Sequence, residues 1–211
     1  MEPALDEPLF FELTRPQPLL IVLSGPSGVG KDTVLQALKK RNLPLHFVVT
    51  ATDRPPRPGE VDGVDYIFVS REEFERMIAA DEMLEYAVVY GDYKGVPKAQ
   101  IRQALASGKD VILRVDVQGA ARLRALCPEA VLIFLAPANV REWYQRLINR
   151  HSETPETLQR RIEAVRRELT YLDMFDYVVV NRQDHLEQAV DQIVAIIQVE
   201  HLRVHPRRIT L

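Results

Sequence analysis

A glycine-rich segment with one lysine is the part of the chain best suited to chemistry. Its residues are Gly25-Pro26-Ser27-Gly28-Val29-Gly30-Lys31-Asp32, followed by Thr33, and the apolar run 19–23 directly precedes it. A buried strand, a glycine-rich turn and the start of a helix form the context of a phosphate-binding P-loop. Backbone N–H groups and the helix dipole attract an anion, and Lys31 supplies a mobile charge. The segment predicts a nucleotide site; the alternative is a glycine turn without a ligand.

One position of this segment departs from the usual pattern. Asp32 stands where a P-loop usually carries the Ser or Thr that holds Mg²⁺. A carboxylate is also a hard oxygen ligand, so Asp32 is a candidate metal residue. The alternative is an ion pair between Asp32 and Arg114 that leaves less for the metal.

A second set of residues is suited to holding a phosphate monoester. Arg54 and Arg57 lie three apart on a proline-rich segment, and Tyr66 follows downstream. Guanidinium groups match phosphate oxygens in forked geometry, and a phenol adds a further donor. The alternative is a solvated basic loop.

The elements that must position these residues indicate an α/β fold. Short apolar runs at 19–23, 47–49, 111–113, 131–135 and 177–180 alternate with helical stretches. Strands that are apolar on both faces and separated by helices are typical of a parallel sheet covered by helices on both faces. Between 50 and 95 a proline-rich stretch and short mixed strands surround one helix, which starts at a capping box at Ser70. This part predicts an inserted α+β lobe at the carboxyl edge of the sheet.

Composition limits the possible function classes. The 211 residues are 46% hydrophobic and 27% charged, with a net charge of −3, which is too near neutral to indicate nucleic-acid binding. The single cysteine, Cys127, cannot form an internal disulfide and suits a reducing compartment. No apolar run approaches the roughly 20 residues of a membrane span. We therefore expect a cytoplasmic protein without nucleic-acid or membrane partners.

Several motifs together resemble the guanylate kinase family. They are Arg54-x-x-Arg57-x-x-Glu60-x-x-Gly63-x-x-Tyr66-x-Phe68, Leu84-Glu85-Tyr86-Ala87, Val115-Asp116-Val117-Gln118-Gly119 and Tyr177-Val178-Val179-Val180-Asn181. The resemblance extends from about residue 19 to about residue 197. It implies a P-loop NTPase core, a GMP-binding lobe and a helical lid, in a monomer or homodimer. The implied reaction is ATP + GMP ⇌ ADP + GDP, with dGMP also accepted and Mg²⁺ bound with ATP.

The resemblance also implies domain boundaries. The guanylate kinase-like domain is predicted at 18–204, with tails at 1–17 and 205–211 that we expect to be loosely held. Within it the core comprises 18–49, 98–137 and 171–204, the lobe 50–97 and the lid 138–170.

Residue roles follow from the same resemblance, position by position. The GMP-binding residues implied are Thr50, Arg54, Arg57, Tyr66, Glu85, Lys94 and Asp116. Lys31, Arg150 and Arg161 are implied in catalysis, the two arginines from the lid, with Arg146 a weaker candidate. Asn181 is implied near adenine, beside the nucleotide-binding residues 25–33. For Glu85 the chemistry agrees, because guanine offers two adjacent N–H donors and a carboxylate is the matching acceptor.

Five positions differ from the commonest form of the family. They are Asp32, Asp53, Lys94, Val96 and Arg114. Lys94 replaces a tyrosine and can still hold a phosphate, whereas Val96 replaces a hydroxyl residue and cannot hydrogen-bond to a base. These departures resemble a branch of the family with Gly-Lys-Asp in the P-loop, which includes plant organellar forms.

Two other functions remain as alternatives. A small-molecule kinase such as ribose 1,5-bisphosphate phosphokinase has a similar fold, but would not need Glu85 with Thr50. A non-catalytic guanylate-kinase-like module that binds phosphopeptides would usually lack the lysine that is present here as Lys31.

Overall fold

The computed structural model describes residues 16–89, 91–148, 163 and 165–211. The strands are β1 (Leu20–Ser24), β2 (Leu45–Phe47), β3 (Ala51–Thr52), β4 (Ile67–Phe68), β5 (Met83–Val89), β6 (Asp92–Pro97), β7 (Asp110–Arg114), β8 (Val131–Pro137) and β9 (Tyr177–Asn181). The helices are α1 (Lys31–Lys39), α2 (Arg71–Ala79), α3 (Lys98–Ala106), α4 (Val117–Leu126), α5 (Val140–Ile148) and α6 (Leu186–His201). Within these described ranges, no helix is both long enough and apolar enough to cross a membrane.

A five-stranded sheet in the order β2-β7-β1-β8-β9 forms the centre of the fold. Every neighbouring pair in it is parallel, which confirms the predicted α/β class. Side chains of β1 alternate between the two faces: Ile21 and Leu23 pack with α1 and α6, whereas Leu20 and Val22 pack with α3 and α4. Burial on both faces explains why the strand is one continuous apolar run.

A smaller mixed sheet, in the order β4-β3-β6-β5, lies within the predicted lobe. Phe74 of α2 is fully buried beneath it and stacks on Tyr93, with ring centroids 5.0 Å apart. The N-terminus of α2 is capped as predicted, since Ser70 Oγ accepts a hydrogen bond from the Glu73 N–H over 3.1 Å. The domain boundaries themselves stay a prediction.

The C-terminal segment corrects one expectation. Residues 205–211 were expected to be loosely held, but Arg207 is buried and its Nε donates to Glu200 Oε2 of α6 over 2.8 Å. Ile209 and Leu211 pack against the α3 and α4 side of the core. The expectation was wrong because a basic tail is usually solvated, whereas this one meets a buried carboxylate. Residues 1–15 of the other predicted tail lie outside the described residues.

Candidate active site

The glycine-rich loop (residues 25–30) joins the end of β1 to the start of α1. Gly25 and Gly30 have φ of +140° and +96°, in the region that favours glycine. A Cβ at Gly25 would collide with the Leu135 carbonyl oxygen, and one at Gly30 would lie 2.6 Å from Asn181 Nδ2. The predicted order of strand, glycine turn and helix is therefore present, and positions 25 and 30 are packed too closely for a larger residue.

Lys31 is folded over this loop. Its Nζ donates to the carbonyl oxygens of Gly25 over 2.5 Å and Pro26 over 3.0 Å. The ammonium group thus lies inside the curve where the predicted phosphates would sit. Binding a nucleotide would exchange these carbonyl contacts for phosphate oxygens.

Asn181, at the end of β9, braces the same loop. Its Nδ2 donates to the Val29 carbonyl oxygen over 2.8 Å, and the side chain is buried. Gly28, Gly30, Thr33 and Asn181 line an adjoining cavity of about 320 Å³. This cavity is the place where the predicted adenine contact of Asn181 would be made.

Asp32 and Arg114 form an ion pair at the foot of the loop. Arg114 ends β7, next to β1 in the sheet, and Asp32 lies in the first turn of α1, so the pair joins a strand end to a helix start. Their side chains are 71% and 36% exposed, and partial burial lowers the pKa of the Arg114 guanidinium from its ordinary value. The ion pair named in the sequence alternative is therefore present, while the role of Asp32 towards a metal stays a prediction.

The donor set at this place is suited to a metal that arrives with a nucleotide. Asp32 offers one exposed carboxylate, and Mg²⁺ typically uses one or two carboxylates plus substrate phosphates and waters. Across the described part of the chain, no group of three or more His, Cys, Asp or Glu side chains could hold a metal without such phosphates.

Arg54 is the buried centre of the second predicted phosphate site. Its side chain is forked onto Glu60, with Nη1–Oε2 2.7 Å and Nη2–Oε1 2.5 Å, and its guanidinium lies 4.8 Å from the Tyr66 ring centroid. The Arg57 backbone N–H donates to the same Glu60 carboxylate over 2.7 Å. Glu60 therefore holds the Arg54 side chain but only the backbone of Arg57, which is an exposed residue. The hydrogen bonds from Arg54 and from that N–H lower the Glu60 pKa to about 2.

Lys94 lies beside this cluster. It belongs to β6, pairs with Thr52 of β3 in the sheet register, and places Nζ 5.6 Å from the Tyr66 ring centroid. Arg54, Tyr66 and Lys94 are thus brought together as predicted. Asp53 has a structural role here instead, since its Oδ1 accepts from the Tyr93 N–H over 2.6 Å and ties the loop to β6.

A cleft of about 460 Å³ is lined by residues of α1 and by Glu60 and Tyr66 of the second predicted phosphate site. Asp32 and Arg114 line it on the core side, and Thr50, Tyr66 and Val96 line it on the side of the small sheet. Val96 is buried against the core, so it gives the cleft an apolar wall.

Glu85 belongs to the small sheet, and Asp116 belongs to the core. Glu85 belongs to β5, and its Oε2 accepts from Arg122 Nη2 over 2.7 Å. Asp116 caps α4 by accepting from the Gly119 N–H over 2.7 Å. A Cβ at Gly119 would lie 3.2 Å from Glu85 Oε2 and 3.4 Å from Asp116 Oδ1, so the two carboxylates border the same small space.

The lid positions are only partly described. Arg150 and Arg161 lie outside the described residues. The backbone of Arg146 belongs to α5.

Sequence reasoning missed four side chains around the site. Glu60 appeared only as a motif position, and Arg122 and Trp143 belong to no motif. Glu168 lies beside Asp116 in a cavity of about 400 Å³; burial raises the pKa of its carboxyl, and its buried Oε2 has no hydrogen-bond partner among the described residues. The charge spacing of Arg54 and Glu60 was the one sequence signal that was available.

The chain is similar to known proteins over most of its length. The family model described as Guanylate kinase matches residues 17–200. The chain is 52% identical over 197 residues to "Guanylate kinase 2, chloroplastic/mitochondrial" of Oryza sativa subsp. japonica, covering 93% of this chain and 69% of the relative. It is 47% identical over 193 residues to a guanylate kinase of Bacillus subtilis, covering 90% and 94%. The crystal structure of guanylate kinase from Anaplasma phagocytophilum superposes with a TM-score of 0.70 at 30% identity, covering 90% of this chain and 89% of that one. The chain therefore belongs to the guanylate kinase family of phosphotransferases.

Proposed function

We propose that this chain transfers the terminal phosphoryl group of ATP to GMP, and also to dGMP, giving ADP and GDP or dGDP. Family membership supports an ATP:GMP phosphotransferase. The observation that carries the proposal is the cleft lined both by Asp32, next to Lys31, and by Tyr66, beside Arg54. A predicted donor region and a predicted acceptor region that border the same cleft suit the in-line meeting of two phosphates.

The donor side is assigned to the glycine-rich loop. Its backbone N–H groups and the N-terminus of α1 would hold the ATP phosphates, with Lys31 on the outer ones. Asn181 would border the adenine. Asp32 would hold the Mg²⁺ bound with ATP; the metal supplies charge neutralisation at the phosphates.

The acceptor side is assigned to Arg54, Arg57, Tyr66 and Lys94, which would hold the GMP phosphate. Arg54 already has its fork oriented by Glu60 and its face on Tyr66. Because Glu60 occupies this fork, a phosphate would replace part of that contact, on a side chain that is already ordered.

Guanine recognition is assigned to Glu85 and Thr50, with Asp116 nearby. A Glu85 carboxylate would accept the guanine N1–H and the exocyclic N–H, which adenine cannot offer. Because Val96 supplies no hydrogen bond, recognition depends more strongly on Glu85 and Thr50.

Catalysis is assigned to positioning and charge rather than to a protein nucleophile. Lys31, Arg150 and Arg161 would spread the charge of the transferring group, and closure of the lid would exclude water. We place this activity in the cytoplasm, in purine nucleotide metabolism and in a monomer or homodimer.

A substrate panel tests the proposal. ATP consumption is measured with GMP, dGMP, AMP, CMP and ribose 1,5-bisphosphate, in the presence and absence of Mg²⁺. We expect rapid turnover with GMP and dGMP, poor turnover with AMP and CMP, and none without Mg²⁺. Turnover with ribose 1,5-bisphosphate but not GMP would assign the chain to the other small-molecule kinase. Absence of turnover with every acceptor would favour the non-catalytic module.

A further inference from the structure

Arg122 is the side chain on which a further inference rests. It lies on α4 in the core, 37 residues away from Glu85 along the chain, and donates from Nη2 to Glu85 Oε2 over 2.7 Å. Among the residues that the structure describes, it is the only side chain that hydrogen-bonds to Glu85. The contact joins a core helix to β5, the strand that presents the base-reading carboxylate.

The carboxylate of Glu85 is held between two residues on one face of α4. Gly119 and Arg122 are three apart, which places them on the same side of the helix. Gly119 leaves the space that the carboxylate needs, because a Cβ there would come within 3.2 Å of Oε2. Glu85 is accordingly 14% exposed at its side chain, whereas Arg122, on the outer side, is 44% exposed.

This geometry leaves the carboxylate able to bind more. Arg122 uses one direction of Oε2, and an ionised carboxylate has about four acceptor positions in total. Because Arg122 is the only described side chain that hydrogen-bonds to Glu85, Oε1 and the second lone pair of Oε2 have the capacity to accept from two adjacent N–H donors.

We propose that Arg122 is a positioning residue for acceptor specificity, which holds the Glu85 carboxylate in the orientation that reads the two N–H donors of guanine. The inference rests on the proposed function, since it assigns guanine recognition to Glu85. Arg122 acts through Glu85 and is given no contact with the base. The simpler interpretation is an exposed ion pair that affects stability slightly and substrate choice not at all.

The test compares GMP with IMP, which lacks the exocyclic amino group of guanine. Arg122→Ala, Arg122→Lys and Arg122→Gln are assayed with both acceptors at saturating ATP. Arg41→Ala is the matched control: Arg41 is 38% exposed and pairs with Glu187 over 2.6 Å at the far end of α1 from the glycine-rich loop. Thermal melts of all variants accompany the kinetics.

We expect Arg122→Ala to raise the KM for GMP about tenfold, as loss of one oriented charged contact would, with kcat and the KM for ATP nearly unchanged. The preference for GMP over IMP should fall, Arg122→Lys should recover part of it, and Arg41→Ala should alter neither. Unchanged GMP kinetics in Arg122→Ala, with or without a lower melting temperature, would overturn the proposal. A lower KM for GMP would also overturn it, because Arg122 would then be an obstacle. Failure of the unmutated chain to use either acceptor would refute the guanylate kinase function instead.

Discussion

Trp143 donates its indole N–H to the carbonyl oxygen of Ser27 over 2.9 Å, which fastens α5 to the glycine-rich loop. The indole is 3% exposed. The neighbouring Glu142 accepts from the Gln183 backbone N–H over 3.1 Å, so α5 is also tied to the segment that follows β9. The start of the predicted lid is thus attached to the loop that is proposed to bind ATP phosphates.

Trp143 should report nucleotide binding through its fluorescence. It is the single tryptophan of the chain, and its hydrogen bond ends on the loop that would reorganise around phosphates. A titration with a non-hydrolysable ATP analogue should change the emission saturably, whereas GMP alone should change it less. The Trp143→Phe variant gives the fluorescence that the tyrosines contribute, which is subtracted as background. An emission spectrum that does not respond to the analogue would contradict the proposed site.

Glu85→Gln should weaken GMP use while leaving ATP binding nearly intact. The amide of Gln places an N–H donor opposite the N–H donors of guanine, so one hydrogen bond to the base is lost. Losing a hydrogen bond to a charged group costs roughly 1.5–3 kcal/mol. This corresponds to an increase of about tenfold or more in the KM for GMP. Initial rates with GMP, AMP and ATP varied in turn give the comparison. Comparable turnover of the unmutated chain with AMP would show that Glu85 does not select the base.

Glu60 should make the small sheet and its loop sensitive to acid. The pKa of its carboxyl is lowered from 4.5 to about 2, chiefly by the hydrogen bonds from Arg54. A carboxyl with a lowered pKa in the folded state stabilises the fold fully above pH 4.5, and this stabilisation is lost as the pH falls towards 2. Melting temperature followed against pH should therefore fall less steeply in Glu60→Gln than in the unmutated chain.

A second carboxyl serves as the control for that measurement. Glu75 is half-exposed and pairs with Arg71 across one turn of α2 at 3.3 Å. Glu75→Gln should keep the slope of the unmutated chain. Equal slopes in all three proteins would mean that the Arg54–Glu60 pair does not contribute to stability.

The central sheet was predictable because burial on both faces makes a strand visible as one apolar run. Four of the five runs lie within or next to the observed strands, but β2 ends at Phe47 rather than extending to residue 49. Its pairing of His46 with Val111 of β7 sets that register, and a pairing partner is not readable from a local pattern. The strand β6 was not predicted, since Gly95 and Lys94 are poor strand signals. It forms because β3 and β5 pair on either side of it, and Gly95 leaves room for the Phe74 ring.

The residues of the candidate site also fall into those that the sequence predicts and those that depend on tertiary packing. Motif spacing pointed to Arg54 and Tyr66, and the family resemblance added Lys94; all three lie close together because they share one small sheet and its adjoining loop. Arg122 and Trp143 could not be found, because each contacts the site only after α4 or α5 packs against it. The Arg54–Glu60 pair was partly predictable, because the two opposite charges are only six residues apart in a proline-rich segment.

Asp32 gives the last prediction, on the competition between a metal and Arg114. If the carboxylate serves Mg²⁺, Asp32→Ala should reduce the Mg²⁺-dependent rate by at least about tenfold, a loss of roughly 1.4 kcal/mol of transition-state stabilisation. Asp32→Ser should retain a substantial part, because a hydroxyl serves the metal at this position in most P-loops. Magnesium titrations of the rate measure both.

The ion pair with Arg114 makes the opposite outcome measurable in the same variants. Asp32 is 71% exposed, and exposed pairs contribute about 0–1 kcal/mol to stability, so loss of the pair alone should hardly change the melting temperature. Removing Asp32 would also leave the partly buried Arg114 without its partner. The double variant Asp32→Ala, Arg114→Ala removes that unpaired charge as well. If the double variant regained both stability and Mg²⁺-dependent turnover, Asp32 would serve the pair and not the metal. We expect the double variant to remain slow, because a carboxylate this exposed, on the first turn of α1 beside Lys31, adds little to the fold and much to a phosphate-bound cation.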